Sequence, residues 1–249
     1  MTPSAAEVVA RCARVYAACS TYRDRGEVHR TYRGASSARE LGVRVPFQTA
    51  FVRPHRFLFE FRRARSGRET EGWEHRALWR DARGVHAWAA QRDGSSRRLE
   101  LTPSIEHVLA DWRSPSAEAS HTAPQLLGLS SGVPFGRAPD AFELAARDEI
   151  DGRPAWRLAS ASFGFAGLWW IDVERGLLLR AYSSRLATAE REQRFAPETE
   201  GAGWASGLEA DVERELALES RVTIETTTFY RPELDVEIPD GAFELHPPD

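Results

Sequence analysis

The sequence predicts a mainly β fold of the α+β class, built around one long, curved antiparallel sheet with a helix before it and a helical insertion in its middle. Most of the chain alternates apolar and polar residues with a period of two, which is typical of half-buried antiparallel strands. Short turns containing Asp and Gly separate these runs. No strands alternate with crossover helices, which disfavours a doubly wound α/β fold. We expect residues 1–249 to form a single domain.

The first predicted element is a helix near the N-terminus. Ser4 followed by Glu7 matches a capping box. One apolar stripe then recurs at helical spacing: Val8, Cys12, Val15, Tyr16 and Cys19. The two cysteines are about 10 Å apart along such a helix, which is too far for a disulfide between them. We expect both to be small buried hydrophobic residues.

A group of strands follows from Tyr22 onward. The clearest runs from Arg56 to Arg63, with Phe57, Phe59 and Phe61 on one face and charged residues on the other. Further strands are predicted at 22–32, 47–52, 77–80, 85–91 and 97–101. Arginines interleaved with Phe over 53–68 could bind nucleic acid. The alternation places most of them opposite the Phe side chains, which favours a core face and a solvated face.

The middle of the chain breaks the β pattern at about residues 103–127. Thr102 followed by Pro103 predicts the start of a helix. Ile105, Val108, Leu109 and Trp112 then lie at amphipathic spacing, and a second short helix is expected at about 120–127. This insertion is predicted to cover the sheet as a lid, with Ile105, Leu109 and Trp112 on its inner face.

The β pattern resumes after a Gly/Pro/Ser-rich loop at 128–139. One hairpin is predicted around Asp151-Gly152 and another around residues 173–176. The last strands are expected at 215–230 and 234–238. Residues 187–213 are interpreted as an acidic excursion from the sheet.

Sequence motifs for catalysis, metals and cofactors are weak or missing. Gly128 to Gly132 matches the G-x-S-x-G pattern around Ser130, but a serine-hydrolase elbow needs a strand before the serine and a helix after it. The seven histidines form no close ligand pair. No glycine-rich nucleotide motif is present. We therefore expect a protein that is not an enzyme and that uses neither a metal nor a cofactor, with a Ser130 hydrolase as a remote alternative.

The charge and the hydropathy of the chain limit the classes of partner that we expect. The formal net charge of −4 and a pI near 6.0 give no overall attraction to nucleic acid. All 33 basic residues are arginine. No apolar run approaches the roughly 20 residues of a membrane span, and residues 1–20 lack the pattern of a signal peptide. The residues alone leave the location open: either the protein is cytoplasmic, or the numbering starts after a removed signal or at a misassigned start.

The aromatic residues on the strands are the feature of the sequence that most directly suggests a function. One interpretation is an ordinary core; the other is a half-open barrel whose sheet holds an apolar ligand. The candidate ligand-binding residues are Phe47, Phe51, Phe57, Phe59, Phe61, Trp88, Trp156, Trp170 and Leu179. The residues alone favour neither the ordinary core nor the ligand-binding sheet.

The order of elements resembles the LolA/LolB-type lipoprotein-carrier superfamily, and within it a family of uncharacterised bacterial periplasmic proteins. The resemblance is carried by short segments that together span most of the chain: 20–26, 51–57, 150–156, 168–172 with 176–180, 225–230 and 238–248.

This resemblance implies a half-open antiparallel barrel of about ten or eleven strands with an N-terminal helix and a helical lid. It also implies a non-enzymatic protein of the cell envelope. Its partner would be a lipid or an acylated protein or peptide, which the protein would shelter against the sheet and transport. An envelope sensor or protein-interaction domain with a self-filled core is the alternative.

Overall fold

A computed structural model describes residues 2–34, 40–65, 73–81, 84–91, 96–99, 104–111, 116, 118–129, 139–162, 165–188 and 221–243. Within them lie the helices α1 (Ala5–Ala18), α2 (Ile105–Asp111) and α3 (Ala123–Leu127). The strands of the first half are β1 (Thr21–Gly34), β2 (Glu40–Val52), β3 (Arg56–Arg65), β4 (Trp73–Asp81), β5 (Gly84–Gln91) and β6 (Ser96–Leu99). Those of the second half are β7 (Glu143–Ile150), β8 (Arg153–Ser162), β9 (Phe165–Asp172), β10 (Leu178–Thr188), β11 (Arg221–Phe229) and β12 (Glu233–Leu234).

All these strands form one antiparallel sheet with the order β6-β5-β4-β3-β2-β1-β11-β10-β9-β8-β7, and the short β12 pairs with the start of β1. Each half is a meander, and the pairing of β1 with β11 joins the two halves. Strands β6 and β7 are the two edges of the described sheet, so it is not closed into a barrel. The predicted fold class is confirmed.

Helix α1 begins where the sequence predicts. Ser4 and Glu7 make both bonds of the capping box. At the other end, Arg53 Nε donates to the carbonyl oxygen of Cys19 (3.1 Å), and the amide of Leu178 donates to Tyr16 Oη (3.1 Å). Arg11 also donates to the turn between β9 and β10, with Nη1 2.7 Å from the oxygen of Val173. Helix α1 is therefore anchored to both halves of the sheet.

The predicted hairpin at Asp151-Gly152 is confirmed. Both residues have positive φ, 51° and 77°, as a two-residue turn between antiparallel strands requires. The described residues of the insertion include two helices, α2 and α3, as expected. Thr102 and Pro103 lie outside the described residues, and the start of α2 is capped by Ser104 Oγ, which accepts from the amide of His107 (3.1 Å).

The C-terminal segment corrects two predictions. Of the strand expected at 234–238, only Leu234 lies in β12. The chain then runs across the sheet, where Ile238 and Phe243 join an apolar cluster with Ala50 and Leu58. The face opposite Phe57, Phe59 and Phe61 is thus not wholly solvated, because a segment distant in sequence covers part of it. Most of the acidic excursion at 187–213 lies outside the described residues.

Both cysteines are free and buried, Cys12 at 1% and Cys19 at 5% exposure. Burial raises the pKa of both thiols, which disfavours the reactive thiolate. We expect alkylation by iodoacetamide at pH 8 to leave both thiols unmodified in the folded protein and to modify both after unfolding in urea. Mass spectrometry checks this, and rapid labelling of Cys12 without denaturant would contradict the observed packing of α1.

Candidate functional site

One face of the sheet carries the largest apolar cluster of the described residues, and all three helices pack against it. We call this the helix-covered face. Helix α1 contributes Val8, Val9, Cys12 and Tyr16, and the insertion contributes Ile105, Val108, Leu109, Ala123 and Leu126. The sheet contributes residues from both halves: Tyr22, Val28, Val43, Val45, Phe47, Phe51, Phe57, Phe59, Phe61, Leu78, Ala87, Leu158, Trp169, Ile171, Leu178, Ala181 and Ile224.

The structure brings six of the nine predicted ligand-binding residues together on this face. Phe47 and Phe61 are register partners across β2 and β3, and so are Phe51 and Phe57. The ring centroids of Phe59 and Phe61 are 5.8 Å apart. The five phenylalanines are buried, and Trp156 is partly buried against the same cluster.

The other three predicted residues lie on the opposite face. Trp88 packs with Leu58 and Ala77, and its ring centroid is 4.9 Å from that of His75. Trp170 and Leu179 form a separate cluster. Trp170 also donates from Nε1 to Asp148 Oδ2 at 2.8 Å (this carboxylate lies on β7).

The residue that the prediction missed is Trp169. It is 2% exposed on the helix-covered face, with its ring centroid 5.1 Å from that of Phe142. Because side chains alternate along a strand, Trp169 and Trp170 cannot both face the helices. For Leu179, an irregular register between Leu178 and Arg180 disturbs this alternation in β10, and only the structure reveals it.

A glycine in β1 makes room for one of the predicted aromatic rings. A Cβ at Gly26 would lie 2.3 Å from Cζ of Phe47 and 2.3 Å from the carbonyl oxygen of Phe229. The ring of Phe47 therefore lies over the backbone of β1. From there it contacts Tyr230 edge to face, with centroids 5.5 Å apart. The aromatic surface thus continues from β2 across β1 to the end of β11.

The predicted lid residues Ile105 and Leu109 both pack into this apolar cluster, at 6% and 5% exposure. Val108 joins them. Trp112, the third predicted lid residue, lies outside the described residues.

A buried polar cluster connects the insertion to the sheet. Tyr22 Oη donates to Asp24 Oδ2 (3.0 Å), and the amide of Arg231 donates to Asp24 Oδ1 (2.8 Å). His121 Nδ1 and Tyr230 Oη are 2.9 Å apart. Burial raises the pKa of Asp24 to about 7, although its hydrogen bonds act in the opposite direction. Asp24 therefore keeps its proton below about pH 7 and loses it above that pH.

A second group of buried polar residues lies further along the strands on the helix-covered face. Arg63 is 1% exposed and its register partner is Glu74. Glu74 forms an ion pair with Arg76, and Arg76 is the register partner of Phe61. On β1, Arg30 donates from Nε to the hydroxyl of Thr226 (3.1 Å). Charged side chains therefore border the aromatic residues.

Among the described residues, no three His, Cys, Asp or Glu side chains are grouped as a metal site would require. Ser130, the candidate nucleophile, lies outside the described residues. No helix in the described part of the chain is both long and apolar enough to cross a membrane.

Comparison with known proteins finds no matching protein-family model and no matching curated protein. The chain is similar in structure to a DUF1329 family protein from Desulfovibrio piger, at 10% identity, with 96% of this chain and 95% of that chain covered and a TM-score of 0.31. It is also similar to a domain from Vibrio parahaemolyticus assigned to outer membrane lipoprotein sorting, at 7% identity, 96% and 95% coverage and a TM-score of 0.31. A third is the lipoprotein LppX from Mycobacterium tuberculosis, at 8% identity, 94% and 97% coverage and a TM-score of 0.39.

One of these neighbours is described as a lipoprotein-sorting domain and another as a lipoprotein. Because every TM-score is below 0.5, we base the function on the geometry of this chain.

Proposed function

We propose that the protein binds an acyl chain between the helix-covered face and the helices of the insertion, without catalysing a reaction. The observation that carries the proposal is the continuous apolar surface that spans both halves of an unclosed sheet. Helices α2 and α3 have only seven and five residues and cover this surface as separate short elements. A cover of this kind can shift to admit a ligand without breaking the pairing of the strands.

Apolar burial supplies the binding energy in this proposal. Each methylene removed from water contributes about 0.8 kcal/mol, so a long acyl chain gains enough to offset the displacement of a short helix. The anchored helix α1 stays in place, and Ile105 and Leu109 move away from the phenylalanines. The cargo is a lipid or an acylated protein or peptide. The resemblance of the sequence to envelope carriers supports transport within the cell envelope.

A second candidate is a sensor or protein-interaction domain of the same fold. The observation that favours it is the burial of the five phenylalanines by the chain itself, which leaves each of them at most 5% exposed. A core that is filled by the protein's own side chains needs no bound ligand. Ligand binding therefore decides between the two candidates.

The adjacent residues Trp169 and Trp170 allow a sharp test because they lie on opposite faces of β9. Titration with a brominated fatty acid is expected to quench the tryptophan fluorescence of the purified protein. Trp169→Phe should remove much of this quenching, whereas the matched control Trp170→Phe should leave it nearly unchanged. Lipid that copurifies with the protein, detected by native mass spectrometry, would add independent support.

Two outcomes would overturn the carrier proposal. One is a protein that carries no lipid and shows no saturable quenching, which would leave the interaction domain as the better candidate. The other is quenching that depends on Trp170 and not on Trp169, which would move the binding site to the opposite face.

A further inference from the structure

The segment before α3 is attached to the centre of the sheet by polar contacts. His121 Nδ1 lies 2.9 Å from the hydroxyl oxygen of Tyr230, which directly follows β11. The next residue, Thr122, interacts through its side chain with Tyr22 of β1. Thr122 and Ala119 are both buried. The insertion therefore cannot lift from the helix-covered face without separating these side chains.

Asp24 is joined to this attachment through a single hydroxyl group. The hydroxyl of Tyr22 that interacts with Thr122 also donates to Asp24 Oδ2 at 3.0 Å. Asp24 is fully buried, and its other carboxyl oxygen accepts from the amide of Arg231. The charge of Glu233 opposes the ionisation of Asp24. A negative charge on Asp24 is therefore poorly accommodated while the insertion is in place.

The titratable groups around Asp24 come from several elements. Burial raises the pKa values of the three tyrosines among them well above the ordinary value, so these tyrosines are neutral near pH 7. One histidine and two glutamates are the other groups that can carry charge. The set comprises Tyr16 on α1, Tyr22 on β1, Glu118 and His121 in the insertion, Tyr230 after β11 and Glu233 on β12. An experiment on pH therefore has to distinguish Asp24 from His121.

The same polar contacts border the proposed acyl-chain site. Asp24 and Gly26 are successive positions on the helix-covered face of β1, because side chains alternate along a strand. The ring of Phe47 lies over Gly26 and contacts Tyr230 edge to face, with centroids 5.5 Å apart. Tyr230 thus contacts the aromatic surface through its ring and the insertion through its hydroxyl. Displacing the insertion to admit an acyl chain separates Tyr230 from His121 and brings water to Asp24.

We propose that the insertion is a cover controlled by a proton: it stays on the sheet while Asp24 is protonated and lifts more readily once Asp24 is ionised. This inference rests on the proposed acyl-chain binding and adds its regulation by pH. The ligand then enters more easily near neutral pH than in a mildly acidic medium.

The direction of the effect follows from the two states of Asp24. With the insertion in place its pKa is about 7, and contact with water returns the pKa toward the ordinary value of 3.8. Between these values the closed form holds a proton that the open form has lost. A rise in pH therefore favours opening, by up to about tenfold per pH unit. Above pH 7 both forms are ionised and the effect levels off.

Calorimetry with monopalmitoyl glycerol, which has no titratable group, measures this coupling. Because the ligand binds the open form, its affinity follows the open fraction, and we expect Kd to be about tenfold lower at pH 7.5 than at pH 5.5. Titrations in two buffers with different heats of ionisation count the protons released. We expect about one proton per ligand at pH 5.5 and nearly none at pH 8.5.

Substitutions assign the proton to one group. Asp24→Asn is expected to bind the lipid with the same affinity at both pH values and to release no proton. His121→Gln removes the imidazole but keeps Asp24, so it should retain the proton release at pH 5.5. Asp240→Asn is the matched control, because Asp240 is an exposed carboxylate paired with Arg56, and it should release the proton as the unmodified protein does.

Hydrogen exchange of residues 119–127 without lipid tests the opening itself. Relative to the intrinsic exchange rate, the protection of these amides is expected to fall about tenfold from pH 5.5 to pH 7.5. Low concentrations of urea should leave their exchange unchanged, because a local opening exposes little surface. This measurement and the calorimetry of the unmodified protein need no variant to fold.

The outcomes separate this inference from the proposed function. Lipid binding with neither a pH dependence nor a released proton would overturn control by a proton and leave acyl-chain binding intact. Proton release that persists in Asp24→Asn and disappears in His121→Gln would also overturn it, because His121 would then be the controlling group. A protein that binds no lipid would overturn the proposed function. Hydrogen exchange then decides this inference alone, and protection that does not change with pH would overturn it.

Discussion

Replacing Gly26 with alanine is expected to lower the free energy of unfolding by about 3 kcal/mol. The added Cβ would lie 2.3 Å from the carbonyl oxygen of Phe229 and 2.3 Å from the ring of Phe47. The ring could turn aside, but the oxygen belongs to the backbone of β11, which pairs with β1. Relief of the contact therefore requires these two central strands to move apart, and they are the ones that join the halves of the sheet.

Urea unfolding followed by circular dichroism measures this effect. Gly241→Ala is the matched control, because no atom lies within 4 Å of the position of its Cβ. We expect that substitution to be neutral or to stabilise by about 0.5 kcal/mol, since alanine has less conformational freedom in the unfolded chain. If Gly26→Ala were as stable as Gly241→Ala, the observed packing of Phe47 over β1 would be wrong.

The second large effect concerns the stability of the protein as a function of pH. The pKa of Asp24 is raised to about 7 in the folded protein, compared with an ordinary value of 3.8. Between these values the folded state retains a proton that the unfolded state has lost, so stability decreases as pH rises. From pH 5 to pH 8 this single group is expected to cost about 3 kcal/mol of stability.

Asp24→Asn is expected to remove this part of the pH dependence. The amide keeps the shape of the neutral acid, and its oxygen can still accept from the amide of Arg231. The difference in pH dependence between the two proteins isolates Asp24, because both contain the same neighbouring titratable groups. These groups are Tyr16, Tyr22, Glu118, His121, Tyr230 and Glu233.

Urea unfolding of both proteins at pH 5 and pH 8 provides the measurement. Asp240→Asn serves as the control, because Asp240 is an exposed carboxylate paired with Arg56 at the surface. The free energy of unfolding of the Asp240→Asn protein should change between pH 5 and pH 8 as that of the unmodified protein does. A pH dependence that survives intact in Asp24→Asn would show that Asp24 is ionised in the folded protein.

Local patterns predicted the elements that depend on short-range interactions. The capping box of Ser4 and Glu7, the Asp151-Gly152 turn and the alternation of Phe57, Phe59 and Phe61 each involve residues a few positions apart. Steric limits and backbone hydrogen bonding act at that range, so the sequence shows them directly. The same patterns placed the five phenylalanines of the candidate site on one face of two adjacent strands, β2 and β3.

The sequence by itself determined that a half-buried antiparallel sheet forms and, where the alternation is regular, which residues of a strand lie on the same face. It did not determine what covers each face. Leu58 is buried because the C-terminal segment returns over it, and Trp88 lies with it on that side. Arg63 is buried beside the phenylalanines, where alternation alone would allow exposure. Alternation is a local property of a strand, whereas burial depends on segments that are far away in sequence and adjacent only after folding.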